Sequence, residues 1–86
     1  MSKHDDDHEK ICRRVAELLS TERERQKISM TQLAASAGLA QSSMSYFEGN
    51  HRSPNLKTLL RIADALHVDL GKFIQRAIKD IRDKSR

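Results

Sequence analysis

The stretch Ser29 to Asn50, SMTQLAASAGLAQSSMSYFEGN, constrains the chain more than any other. Leu33, Ala34 and Ala37 lie before Gly38 at helical spacing, and Met44 and Phe47 repeat the pattern after it. Two short helices joined by one sharp turn satisfy both patterns. Ser29 with Gln32 three residues on forms a capping box for the first helix, Met30 to Ala37. Gly38 supplies the backbone freedom for the turn. The second helix, about Gln41 to Glu48, must stop at Gly49 and Asn50, the residues that best tolerate a left-handed backbone. Away from its apolar residues this helix reads Gln41, Ser42, Ser45 and Tyr46, with no charge before Glu48. Side chains that donate and accept hydrogen bonds without carrying charge can read base edges in a DNA groove.

The remaining sequence reads as support for this stretch. With 86 residues the chain is one domain with a modest core. That core must be aliphatic, because there is no Trp, one Tyr and two Phe. Residues 1–6 read as a disordered polar tail, and 7–84 as the domain. A first helix is expected from Asp6 or Asp7, whose carboxylates suit a helix start, to about Gln26. Its stripe is Ile11, Cys12, Val15, Ala16, Leu18 and Leu19. Pro54 and Asn55 introduce a fourth helix, Leu56 to Leu66, burying Leu56, Leu59, Leu60, Ile62, Ala63 and Leu66. Asp69 caps a fifth, Leu70 to about Arg82. No segment carries a strand signal, so the fold class is all-α, a compact five-helix bundle.

The segment 69–82 carries more apolar length than four short helices should cover. Leu70, Phe73, Ile74, Ala77, Ile78 and Ile81 make either one continuous core stripe or, in the reading preferred here, a homodimer interface built on Phe73, Ala77, Ile78 and Ile81.

Lys and Arg outnumber Asp and Glu by 16 to 12. The acidic run Asp5 to Asp7 sits at one end and the last third is basic. That favours a polyanionic partner over a merely solvated surface without deciding between them. The single Cys12 excludes an internal disulfide and points to a core residue in a cytoplasmic protein. No signal-peptide pattern and no apolar run of ~18 residues suggest a membrane. His4 and His8 beside the aspartates lie in a solvated tail and make no metal site. No paired carboxylates, Cys/His pair or phosphate-cradling glycine loop suggests an enzyme or a cofactor.

Taken together, Ile28-Ser29, Leu33-Ala34, Gly38-Leu39, Met44-Ser45 and Phe47-Glu48, then Pro54, Leu56, Leu59-Leu60, Ile62-Ala63, Ala65-Leu66 and Val68, resemble the phage repressor and Cro type, or XRE type, of helix-turn-helix domain over about Val15 to Phe73. The resemblance implies a lambda-repressor-like bundle whose third helix enters the major groove of double-stranded DNA. It places Gln41, Ser42, Ser45 and Tyr46 as base readers, with Gln41 able to pair bidentately with adenine. Thr31, Ser43, Asn50, His51, Arg52 and Lys57 become phosphate contacts. Arg23 and Glu48 occupy positions that form an ion pair in the family. The expected protein is a small dimeric repressor or controller of transcription; a module that binds a protein partner such as a toxin is the alternative. Four departures from the pattern stand out: Met30 where a phosphate-contacting Gln is common, Lys27 and His67 at helix ends usually given to Gly, and Glu22 in place of an apolar residue.

Overall fold

A computed structural model describes the backbone of residues 3–48 and 55–84, and the side chains of 7–44 and 55–83. Five helices follow one another: α1 Lys3–Arg25, α2 Met30–Ala37, α3 Gln41–Glu48, α4 Leu56–Leu66 and α5 Leu70–Lys84. The described residues include no strand, and no helix is long and apolar enough to cross a membrane.

Among the described residues the fully buried core is aliphatic. Val15, Leu19, Leu33, Met44, Ile62 and Leu66 are its largest fully buried side chains, so α1, α2, α3 and α4 each send at least one residue to the centre. Leu70 and Ala77 add α5. At 23 residues α1 is about 34 Å long and the longest helix of the bundle.

Three of the helices leave by the same joint. After α1, the Ile28 N–H reaches the Arg23 carbonyl and the Lys27 N–H that of Glu24. After α2, Leu39 reaches Ala34 and Gly38 reaches Ala35; after α4, Val68 reaches Ala63 and His67 reaches Asp64. Each joint turns on a left-handed residue, Lys27 (φ 58°), Gly38 (φ 69°) or His67 (φ 60°). An apolar residue follows each time, Ile28, Leu39 or Val68, and all three pack against the core. This is a Schellman exit, in which the left-handed residue lets two late carbonyls find donors. Lys27 and His67, which stand at helix ends usually given to Gly, both adopt the glycine conformation with a side chain attached.

The helix starts follow the sequence closely. Ser29 Oγ accepts from the Gln32 N–H while Gln32 Oε1 accepts from the Ser29 N–H, which completes the capping box. Asn55 Oδ1 accepts from the Thr58 N–H at 2.8 Å, and Asp69 Oδ1 accepts from the Gly71 N–H at 2.9 Å.

Three expectations need correction. First, α1 begins at Lys3 and not at Asp6 or Asp7. The acidic run therefore lies inside the first turns, where carboxylates favour the positive end of the helix dipole. Second, Leu56 and Leu60 are 59% and 45% exposed. The buried face of α4 runs through Leu59, Ile62, Ala63 and Leu66, a narrower stripe than the run of leucines suggests. Third, Ala77 is wholly buried inside the chain and joins the internal core. The long α1 explains this, because α1 and α5 form the most extensive helix pair of the bundle. Arg14 Nε meets Asp80 Oδ2 at 2.9 Å, and Gln26 Nε2 meets the Leu66 carbonyl at 2.9 Å. Low numbers on one side match high numbers on the other, so α1 runs antiparallel to the α4–α5 end of the chain.

Glu22, where an apolar residue was expected, is held in a polar clasp. Its carboxylate accepts from Arg25 Nε at 3.0 Å and from Gln26 Nε2 at 2.8 Å. Those hydrogen bonds, Arg25 first and Gln26 second, lower its pKa to about 2. The same Gln26 amide caps α4 through Leu66, so the clasp ties the exit of α1 to the exit of α4.

Candidate nucleic-acid interface

The helix-turn-helix is mounted from below. Leu33, Ala34 and Ala37 of α2 and Met44 of α3 are buried, and the Met44 side chain has no exposed surface. Burying this one long side chain anchors the short α3; Met44→Ala would forfeit ~2–5 kcal/mol. On the outside, Gln41, Ser42 and Ser43 are all exposed. The first turn of α3 thus presents neutral polar groups while Met44 and the α2 residues hold the pair to the core.

The structure brings Gln41 and Thr31 together. Gln41 Nε2 donates to Thr31 Oγ1 at 3.4 Å, a long contact between two exposed side chains ten residues apart. An amide held by one of its hydrogens keeps its carbonyl oxygen and second hydrogen for a base edge. The hydroxyl keeps its own proton for a phosphate. Thr31, expected as a phosphate contact, therefore also touches the expected base reader, a pairing that no local spacing announces.

At the start of α3, Ala40 gives its carbonyl to the Ser43 and Met44 N–H groups. It has no side-chain oxygen to cap the helix, and the first donors of such a helix are suited to anionic oxygens. Ser43 is exposed close to this end, and Lys57 is exposed on the first turn of α4. Arg61, which the sequence did not single out, points NH1 at the Gly38 carbonyl from 3.5 Å, beside the turn itself. Its signal would have been its place one turn after Lys57, a second cation on the outer face of α4.

The side chains of Ser45, Tyr46 and Glu48, and all of Asn50, His51 and Arg52, lie outside the described residues. Arg23, the expected partner of Glu48, is 15% exposed at its side chain and donates through NH1 to the Ile28 carbonyl at 2.7 Å. It thereby braces the approach to α2. No group of three or more His, Cys, Asp or Glu residues among the described residues is placed to hold a metal ion.

No curated protein and no solved structure matches the chain. A model of the helix-turn-helix family matches residues 19–73, well over half of the sequence. The match begins within α1, takes in the capping box, the Gly38 turn and all of α3 and α4, and ends at Phe73 on α5. With the buried underside, the left-handed turn and the neutral polar face already in place, the chain belongs to the XRE-type helix-turn-helix family of DNA-binding regulators.

Proposed function

We propose that the chain is a sequence-specific transcriptional regulator that lays α3 in the major groove and binds a pseudo-palindromic operator as a homodimer. The observation that carries this reading is the exposed Gln41 on an α3 anchored by Met44, with its amide resting against Thr31. Gln41 pairs with adenine, an interaction worth ~1–3 kcal/mol of discrimination. Ser42, Ser45 and Tyr46 complete the reading face. Thr31, Ser43, Asn50, His51, Arg52 and Lys57 hold the phosphates on either side. Glu48 pairs with Arg23 behind that face. Two copies related by a two-fold axis place their reading helices about 34 Å apart, in successive major grooves. Such an operator, overlapping a promoter, makes the protein a repressor or controller.

Selection of bound duplexes from a random library tests this directly. The selected sites should show two half-sites in inverted order with an adenine at one fixed position of each. Gln41→Ala should relax the preference at that position alone, and Arg52→Ala should weaken all duplexes alike. Equal behaviour of the two variants, or selected sites without symmetry, would overturn the assignment.

A further inference from the structure

We propose that the outer face of α5 is a second surface for DNA phosphates, formed by Lys72, Arg76 and Lys79 with Arg82 at its edge. The inference rests on the DNA-binding reading above and adds a contact outside the helix-turn-helix. All four cations are exposed. Lys72, Arg76 and Lys79 follow one another at spacings of four and three, which puts them on one face, opposite the buried Leu70 and Ala77.

These cations differ from the arginines of α1. Arg13 pairs with Glu9, Arg14 with Glu17 and Asp80, and Arg25 with Glu22. Among the described residues no ion pair reaches Lys72, Arg76, Lys79 or Arg82. The usual helical partner of Arg76 would be Asp80, four residues on. That carboxylate is drawn away to Arg14 at 2.9 Å, and Arg76 keeps its full charge towards solvent. Asp83, exposed four residues after Lys79, and Asp69, exposed three residues before Lys72 and accepting from the Gly71 N–H, limit the stripe at its two ends.

The chemistry favours phosphates over an acidic protein. A protein interface is built round a desolvated apolar or aromatic centre, and between these cations stands only Gln75, another hydrogen-bond donor. Phosphate binding needs only charge and donors. From Lys72 to Lys79 the helix rises about 10 Å, a length over which duplex DNA presents roughly six phosphate charges. The main packing partners of α5 are α1 and α4, and those of α3 are α1 and α2. The stripe is thus a surface separate from the reading helix. Its phosphates come either from the flank of the same duplex or from a second duplex.

The test compares wild type with Arg76→Gln and with the triple variant Lys72→Gln, Arg76→Gln, Lys79→Gln, each checked for an unchanged melting transition. Random-sequence duplexes of about two and about four helical turns are titrated over a range of salt. Each lost contact should lower the slope of log affinity against log salt by ~0.9, so the triple variant should lose up to ~2.7. A loss confined to the longer duplex identifies the flank. Failure of the variant, loaded on an immobilised duplex, to capture a second labelled duplex that wild type captures identifies bridging. Unchanged slopes with unchanged capture overturn the stripe while leaving the helix-turn-helix reading intact. A wild type with no salt-dependent duplex binding overturns both.

Discussion

Two side chains sit in a backbone conformation that the neighbouring joint assigns to glycine. Lys27 and His67 hold φ near +60° as Gly38 does, and a left-handed residue other than glycine costs about 1 kcal/mol or somewhat more. Lys27→Gly and His67→Gly should each raise stability by ~0.5–1 kcal/mol, the gain being reduced by the greater freedom of glycine in the unfolded chain. Thermal melts should move upward, and a downward shift would show that the side chains contribute more than the strain costs. Gly38→Ala should lower the transition by a similar amount, because no neighbour stands within 4 Å of an added Cβ and the backbone conformation alone is at issue. Arg23 and Glu48 allow a sharper comparison. If the pair that we propose is shielded, losing either partner costs ~3–5 kcal/mol and the double variant costs little more; small additive losses would place the two groups in solvent.

Among the elements, the helices were largely legible because their starts and stops are written in local chemistry. Ser29, Asn55 and Asp69 each cap the helix they precede, and the buried pattern of α2 was read residue for residue. The errors fall where distant parts decide. Nothing within five residues of Leu60 tells that the core lies towards Leu59 and Ile62, and the reach of α1 over α5 depends on residues some sixty positions apart. Thr31 against Gln41, and Gln26 against Leu66, were likewise invisible, because they depend on how helices pack and not on spacing along one of them. The clasp at Glu22 carries a pH signature. A carboxyl whose folded pKa is lowered contributes stability that is fully present above its ordinary value of 4.5 and is lost as pH falls through about 2. Urea titrations of wild type and Glu22→Gln should therefore converge as pH falls from 4.5 to 2, with wild type the more stable at neutral pH. A constant difference across that range would remove the clasp from the acid limb.

At the scale of the whole molecule, the proposed dimer needs a pairing surface. Among the residues first assigned to the interface, Ala77 is internal and Phe73, Ile78 and Ile81 are half-buried. Leu56 and Leu60 expose more apolar surface than any of these, although two leucines fall well short of the ~800 Å² per partner that a stable dimer uses. The dimer that we propose should be weak in solution and completed on DNA. Sedimentation of Leu60→Asp and Ile78→Asp, with and without a selected operator, separates the two surfaces. Whichever substitution abolishes the doubly occupied complex while leaving single occupancy of a half-site marks the pairing helix; loss in neither would show that neither surface pairs the two copies.

The three matching helix exits also supply a clock for each joint. The Ile28, Leu39 and Val68 N–H groups each close the same six-residue ring, so the rate at which each exchanges with deuterium reports the opening of its own helix end. Glycine makes the Leu39 joint the easiest to reverse, and that joint alone connects the two halves of the reading unit. Bound DNA should slow exchange at Leu39 most, while Ile28 and Val68 keep nearly the time of the free protein and mark how little the scaffold moves when the reading helix is engaged.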